Sequence, residues 1–198
     1  MARRLILASS SPFRRGLMEQ AGLSFDWEDA AVDERSIEAV LSADTDPAML
    51  ALHLARAKAM AVSHRHPEAL VLGCDQTMAL GTKVFHKATS LDEARSNLAL
   101  LRGKTHRLNS AMSLVAGGEE HWGHVEPAEM SVRDFSDAFL DRYIERAGEG
   151  VLKSVGSYQL DGLGVQLFER VTGDYFTVIG LPLIQLLAKL REMGEIDG

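Results

Sequence analysis

The chain has 198 residues, a formal net charge of −7 and a hydrophobic content of 46%, which fit a compact globular protein. The acidic balance argues against a general nucleic-acid binder or a protein that coats anionic membranes, so any anion site must concentrate its positive charge locally. A single cysteine, Cys74, excludes an internal disulfide, and no apolar run reaches the length of a membrane span. Because residues 1–16 are too polar for a signal peptide, we expect a cytoplasmic protein that acts on a small molecule, with neither a nucleic acid nor a membrane as its partner.

The first predicted elements are a buried strand, a serine-rich turn and a helix start. The strand is apolar and ends at Ala8, Ser11 has the side chain of a helix N-cap, and Pro12 suits the first helical position. Arg14 and Arg15 then lie in the first turn, where the helix dipole disfavours positive charge. An anion held there by backbone N–H groups, serine hydroxyls and guanidinium groups would explain them. The alternative is a capped helix whose arginines lie in solvent.

Helices and strands alternate along the rest of the chain, without a repeat, a low-complexity tract or a long linker. The predicted helices cover about residues 12–21, 47–64, 91–101, 137–146 and 182–193. The predicted strands cover residues 24–32, 69–74, 78–80, 83–85, 105–115, 120–132 and 165–171, and a glycine-rich loop covers 156–164. Because some of these strands form hairpins, the sheet is mixed, and the predicted fold class is α/β with antiparallel parts.

Two acidic segments follow predicted strands, where ligands of α/β proteins usually bind. Asp75 comes directly after strand 69–74, and a carboxylate there is a metal ligand, a general base or a cap for the next turn. Asp33 and Glu34 follow strand 24–32, and the alternative for them is a solvated turn. The residues alone leave these alternatives open.

Several lysines stand near the ends of predicted elements, namely Lys58, Lys87, Lys104 and Lys153. Any one lysine is most often a solvated surface charge. Separated basic side chains, together with carboxylates that can hold Mg²⁺, are nevertheless what the cleavage of a phosphoanhydride requires, because they spread the developing negative charge. The glycine-rich patterns of the common P-loop and of the dinucleotide fold are both absent from the sequence.

Six motifs resemble the Maf-like proteins, in the order seen in that family and from residue 5 to about residue 185. They are Ala8-Ser9-Ser10-Ser11-Pro12-Phe13-Arg14-Arg15, Val32-Asp33-Glu34, Leu72-Gly73-Cys74-Asp75-Gln76, Gly103-Lys104-Thr105-His106-Arg107, Gly156-Ser157-Tyr158-Gln159-Leu160-Asp161-Gly162 and Val178-Ile179-Gly180-Leu181-Pro182-Leu183. The resemblance implies a nucleoside triphosphate pyrophosphatase, of a family first named for septum inhibition. It implies one domain over residues 1–198, with an elongated mixed sheet in two lobes around a deep cleft, similar to the inosine triphosphatases.

The same resemblance implies a divalent metal, Mg²⁺ or Mn²⁺, and hydrolysis between the α and β phosphates, which gives a nucleoside monophosphate and pyrophosphate. A homodimer is usual in the family. By position, Asp75 matches the family's proton acceptor, and Glu34 with Asp75 matches its metal-side acids. The phosphate-contacting positions match Ser9, Arg14, Arg15, Lys58 and Lys87. The specificity positions match Phe13, Gln76 and Asp161.

Two departures from the family pattern leave the matched lysine and aspartate in place. His86-Lys87-Ala88 stands where the family commonly has Gly-Lys-Pro, so the loop around Lys87 is expected to differ in shape. Cys74 stands where a small residue such as Ala or Ser is usual.

The specificity positions are similar to the branch of the family described as 7-methyl-GTP pyrophosphatases. Methylation at N7 makes the purine ring cationic, so the face of Phe13 can stack on it, and the carboxylate of Asp161 can accept hydrogen bonds from N1–H and N2–H of guanine. The alternative is that Asp161 only shapes the glycine loop. The branch that acts on dTTP and UTP usually carries Thr after the catalytic aspartate, where this chain has Gln76.

Three other functions remain as alternatives. The first is a dTTP/UTP pyrophosphatase. The second is a non-catalytic, nucleotide-sensing regulator of septum formation, against which the complete set of acids and lysines argues. The third is a nucleotidyltransferase, which would need an acceptor site that a sequence cannot show.

Overall fold

The structure is a computed structural model that describes residues 2–41 and 45–197. Over these two ranges the chain forms one mixed sheet of seven strands together with seven α-helices, which confirms the predicted mixed α/β class. The strands are β1 (Leu5–Ala8), β2 (Asp26–Trp27), β3 (Leu70–Leu80), β4 (Lys83–Phe85), β5 (Thr105–Ala116), β6 (Glu119–Val132) and β7 (Phe168–Thr172). The helices are α1 (Pro12–Gln20), α2 (Glu34–Val40), α3 (Pro47–Ser63), α4 (Leu91–Leu101), α5 (Asp137–Ala147), α6 (Tyr175–Ile179) and α7 (Leu183–Glu192).

The strand order of the sheet is β2-β1-β3-β5-β6-β7, with β4 paired to β3 outside this path. Strand β1 runs parallel to both of its neighbours, so that Leu7 lies opposite Trp27 and Ala8 lies opposite Gly73. The pairs β3–β4 and β6–β7 are antiparallel. Because Ala8 ends β1 opposite Gly73, the turn that starts at Ser9 lies beside the segment of β3 that carries Asp75.

The chain divides into two compact units, the first made of Met1–Gln76, Asn109–Glu126 and Asp174–Gly198. In this unit the side chains of β1 alternate between two apolar clusters, as expected of a strand covered on both faces. Leu5 and Leu7 pack with residues of α1 and α7, whereas Ile6 and Ala8 pack with residues of α3. The parallel part of the sheet is therefore covered by helices on both faces.

The second unit, Thr77–Leu108 with Pro127–Gly173, contains α4 and α5, which pack against each other and against a 3₁₀ segment at Gly148–Lys153. Its interior includes a buried hydrogen-bonded pair, in which His106 Nε2 and the Tyr158 hydroxyl are 2.7 Å apart. Burial lowers the pKa of His106 to about 4 and raises the pKa of Tyr158. This pair is therefore neutral at physiological pH.

The prediction of a strand over residues 24–32 is wrong beyond the two residues of β2. The carboxylate of Asp29 accepts a hydrogen bond from the backbone N–H of Ala31 at 2.7 Å, and Ala31 adopts φ 53°, so the chain turns there. Asp33 and Glu34 consequently stand at the start of helix α2, which the sequence did not reveal, and not at the end of a strand.

The predicted end of a strand at Asp75 and Gln76 is also wrong, because β3 continues without interruption to Leu80. Both polar side chains have partners in the first unit, as described below, so they do not break the strand. Near the C-terminus, Leu163–Leu167 is a 3₁₀ segment, and only the later part of the predicted strand 165–171 is extended. Helix α6 was not predicted. None of the helices in the described parts of the chain has the length and apolar character to cross a bilayer.

Candidate active site

The centre of the candidate site is an ion pair between strand β3 and helix α3. Lys58 Nζ lies 2.6 Å from Asp75 Oδ1, and the two side chains are only 12% and 10% exposed. The pairing depends on a close approach of the helix to the strand at Gly73. A Cβ atom at Gly73 would lie 2.0 Å from the carbonyl oxygen of Ala55 in α3. Glycine at this position therefore lets α3 carry Lys58 to Asp75.

A second carboxylate reaches the same lysine from helix α2. Glu34 Oε1 lies 2.6 Å from Lys58 Nζ, so one ammonium group joins Glu34 and Asp75. The side chain of Glu34 is 52% exposed, which gives this group an opening to solvent. The neighbouring Asp33 does not contribute, because its carboxylate caps α2 through Ser36, and the side-chain hydrogen bond from Ser36 holds the pKa of Asp33 below its usual value.

Arg14 points into the molecule and not into open solvent. Its Nη1 donates to the carbonyl oxygen of Cys74 at 3.1 Å and to Ser9 Oγ at 3.3 Å, and its Nε donates to the carbonyl oxygen of Gly180 at 2.8 Å. The guanidinium is thus fixed beside the residue that precedes Asp75. For Arg14 the alternative of a solvated side chain is wrong.

The start of helix α1 is built as the sequence predicted. Ser11 is the N-cap, its Oγ accepts a hydrogen bond from the backbone N–H of Arg14 at 3.4 Å, and Pro12 occupies the first turn. Ser9 Oγ accepts a hydrogen bond from the backbone N–H of Ser11 at 3.2 Å. The positive end of the helix dipole and two arginines therefore lie together, and no acidic residue in the first turn compensates their charge.

Phe13 and Arg15, the other two predicted site residues at the start of α1, differ in their surroundings. Phe13 is 38% exposed and presents an aromatic ring to solvent. Arg15 lies over the ring of Trp27, with its Cζ atom 4.1 Å from the ring centroid.

Gln76 holds the segment around helix α6 in place. Its Nε2 donates to Ser110 Oγ at 2.8 Å and to the carbonyl oxygens of Thr177 and Val178 at 3.1 and 3.2 Å. That helix is capped at its C-terminus by Gly180, which adopts φ 106°, in the region that favours glycine. The carbonyl oxygen of Gly180 is then available to Arg14. Gln76 thus orients α6, and its amide nitrogen is already engaged inside the protein.

Lys87 and Asp161 belong to the second unit. Lys87 is exposed just after strand β4, and Asp161 is exposed in the turn that precedes the 3₁₀ segment Leu163–Leu167. Their contacts with a nucleotide stay predictions. The first unit alone brings together Ser9, Arg14, Glu34, Lys58, Asp75 and Gln76.

The donor set fits a divalent cation that arrives with phosphate. Within residues 2–41 and 45–197 there is no group of three or more His, Cys, Asp or Glu side chains that could hold a metal ion. Glu34 and Asp75 are two carboxylates within reach of one ammonium group, so they can share one cation. Mg²⁺ is usually bound in this way, by one or two carboxylates together with substrate phosphates and water.

Cys74 is adjacent to Asp75 but lacks the properties of a nucleophile. Its side chain is completely buried, and this burial raises the pKa of its thiol to about 11. A reactive cysteine has the opposite surroundings, exposed and with a lowered pKa.

Sequence reasoning missed several residues that contact the predicted site residues. Ser110 and Trp27 gave no signal, since neither stands in a recognisable motif. Gly73 did give one, because a glycine inside a buried strand indicates that another backbone approaches closely.

Comparison with known proteins agrees with the resemblance. The family model described as "Maf-like protein" matches residues 4–193. A protein of Rhizobium johnstonii named "7-methyl-GTP pyrophosphatase" is 55% identical over 199 residues, covering 100% of both chains, and a protein of Brucella abortus with the same name is 49% identical with the same coverage. A solved structure of a nucleoside-triphosphatase / dITP/XTP pyrophosphatase from Mycobacterium abscessus matches distantly, with a TM-score of 0.42, 14% identity and coverage of 96% of this chain and 95% of that chain. The extent of the family match and the full-length similarity to these relatives show that the chain belongs to the Maf-like protein family.

Proposed function

We propose that this chain is a nucleoside triphosphate pyrophosphatase whose preferred substrate is 7-methyl-GTP. It would hydrolyse the bond between the α and β phosphates and release 7-methyl-GMP and pyrophosphate. The observation that carries this proposal is the largely buried Lys58–Asp75 pair, with Glu34 on the same ammonium and the Arg14 guanidinium bonded to the carbonyl oxygen of Cys74, next to Asp75. The names of the full-length relatives support the choice of substrate.

In this proposal Asp75 is the proton acceptor. A water oxygen forms a bond to the α phosphorus, the bond from that phosphorus to the bridging oxygen breaks, and the water's proton passes to the carboxylate of Asp75. Lys58 donates a hydrogen bond to Oδ1, so that Oδ2 of the same carboxylate is left to receive the proton.

Positive charge around the triphosphate stabilises the negative charge that develops in the transition state. Arg14 is oriented for this task by Ser9 and by two backbone carbonyl oxygens, so it needs little rearrangement during the reaction. Arg15, Lys58 and Lys87 are proposed to contact the phosphates as well. Glu34 and Asp75 would hold the divalent cation, which supplies charge neutralisation of the phosphate oxygens.

The base is proposed to be selected at two positions. The exposed ring of Phe13 can stack on the cationic 7-methylguanine ring, and the carboxylate of Asp161 can accept hydrogen bonds from its N1–H and N2–H groups. Gln76 would act indirectly, because its amide nitrogen is engaged with Ser110 and with α6. We also propose that the protein works in the cytoplasm and forms a homodimer.

The test is release of pyrophosphate from 7-methyl-GTP, GTP, UTP and dTTP, with Mg²⁺ or Mn²⁺. We expect 7-methyl-GTP to give the highest kcat/KM and a metal requirement. A preference for UTP and dTTP would replace the proposed substrate with pyrimidine nucleotides. Binding of nucleotides without release of pyrophosphate would contradict catalysis and favour a nucleotide-sensing regulator.

A further inference from the structure

The two adjacent arginines at the start of α1 are held in different ways. Arg14 uses its Nε and Nη1 to donate hydrogen bonds to protein oxygens. Arg15 stacks on Trp27, with Cζ 4.1 Å from the ring centroid, and its Nε atom is buried without a hydrogen-bond partner among the residues that the structure describes. One arginine is therefore fixed through its N–H groups, and the other is fixed through its flat face.

This difference matters for anion binding. The N–H groups of a guanidinium lie at its edge and in its plane, whereas an aromatic ring attracts the face. Stacking therefore orients Arg15 without engaging its donors. A buried Nε–H group that lacks an acceptor is unfavourable until an oxygen atom reaches it. The Nε–H of Arg15 thus lacks an acceptor among the described residues, and a phosphate oxygen of a bound substrate can supply one.

The position of Trp27 supports a functional reason for the indole. Trp27 stands on β2, a two-residue strand at the edge of the sheet, opposite Leu7 of β1. The strand β1 leads directly into the turn of Ser9 and the start of α1. Trp27 is 50% exposed, so it is not a core residue. An indole is, however, the most effective aromatic partner for a guanidinium.

We propose that Trp27 is a positioning residue for substrate binding: its indole face orients Arg15 so that the guanidinium edge donates hydrogen bonds to the polyphosphate of the substrate. This inference rests on the proposed function in one respect, that the substrate is a nucleoside triphosphate. It adds a residue outside the six motifs on which the family resemblance was based.

The test compares Trp27→Leu, which keeps apolar bulk, with Trp27→Phe, which keeps an aromatic face. The control is Trp122→Phe, because the chain has two tryptophans and Trp122 stacks on His124. Binding of inorganic tripolyphosphate is measured by calorimetry in the presence of Mg²⁺, and KM and kcat are measured with 7-methyl-GTP. We expect Trp27→Leu to weaken tripolyphosphate binding about fivefold and to raise KM by a similar factor, with a smaller change in kcat. Trp27→Phe should weaken binding about twofold, and Trp122→Phe should leave it unchanged.

A double-mutant cycle separates positioning from a general structural role. In an Arg15→Ala background, Trp27→Leu should no longer weaken tripolyphosphate binding, since there is no guanidinium left to orient. An equal loss in both backgrounds, or no loss in the wild-type background, would overturn the proposal. A wild-type chain that fails to bind tripolyphosphate would overturn it as well. If the wild-type chain binds tripolyphosphate with the expected coupling but releases no pyrophosphate from any nucleotide, the inference about Trp27 holds and the proposed reaction fails.

Discussion

Each compact unit of this protein contains a polar pair that is largely or fully buried, and the two pairs differ in charge. In the first unit Lys58 and Asp75 form an ion pair that Glu34 connects to solvent. In the second unit His106 and Tyr158 form a neutral hydrogen bond, with the pKa of His106 lowered by burial to about 4. Buried charge is unfavourable unless it is paired, whereas a neutral pair can shape a loop without that penalty. The comparison is consistent with the proposal that the first pair takes part in the chemistry, and we expect the second to serve structure alone.

The largest expected effect comes from removing the charge of the first pair with Asp75→Asn. Asparagine keeps an oxygen to accept the hydrogen bond from Lys58, but it cannot take a proton from water. We expect kcat for pyrophosphate release to fall at least about a thousandfold, while binding of 7-methyl-GTP by calorimetry persists.

The control is Asp141→Asn, which removes an exposed carboxylate paired with Arg95. It should leave kcat unchanged. Near-normal pyrophosphate release by the Asp75→Asn protein would remove Asp75 from the role of proton acceptor.

The next expected effect comes from moving the first pair apart with Gly73→Ala. The added methyl group would meet the backbone of α3 at the carbonyl oxygen of Ala55, so strand and helix must separate. We expect the free energy of unfolding in urea to fall by about 3 kcal/mol, together with a loss of activity.

Gly16→Ala in α1 is the matched control, because a Cβ atom there would meet only the flexible end of Gln20, at 4.0 Å. It should leave the free energy of unfolding unchanged or raise it by about 0.5–1 kcal/mol. Equal effects of the two substitutions would contradict the close approach at Gly73.

The third expected effect is a loss of stability in acid, caused by the buried His106 of the second pair. In the unfolded chain His106 takes up a proton as the pH falls below 6.5, while in the folded chain it stays neutral until about pH 4. The free energy of unfolding is therefore not reduced by His106 above pH 6.5. It falls as the pH decreases toward 4, by up to about 3 kcal/mol, because only the unfolded chain takes up this proton. Urea unfolding at pH 7, 5.5 and 4.5 should show this loss, and His106→Gln should reduce it.

Nuclear magnetic resonance of the wild-type chain provides a second measurement that does not depend on the folding of the variant. The ring of His106 should stay neutral at pH 5. A protonated ring at that pH, or an unchanged acid dependence in the His106→Gln protein, would contradict the neutral pair.

Local signals allowed much of this structure to be predicted from the sequence. One or two residues were enough to predict the N-caps of α1, α3, α4 and α5. The turn at Gly81 and Thr82 predicted the hairpin of β3 and β4. The turn at Asp29 and Ala31, before α2, could not be predicted in this way. Its hydrogen bond from Ala31 to Asp29 and the positive φ of Ala31 depend on the folded chain.

The candidate site shows the same limit. Asp75 and the arginines were identified from motifs, but Asp75 was placed at the end of a strand because two polar residues follow an apolar run. Whether such residues interrupt a strand depends on distant partners, which here are Lys58 for Asp75 and Ser110 for Gln76. Sequence spacing contains no direct record of contacts between positions so far apart.

Cys74 can serve as a chemical probe of strand β3, which carries Asp75. It is the single thiol of the chain, it is fully buried, and its pKa is raised to about 11. A thiol reagent needs an accessible and deprotonated sulfur, so the folded protein should react only during moments when β3 opens locally. The rate of labelling then measures how often this strand opens, and comparing that rate with and without nucleotide reveals how firmly the substrate closes it.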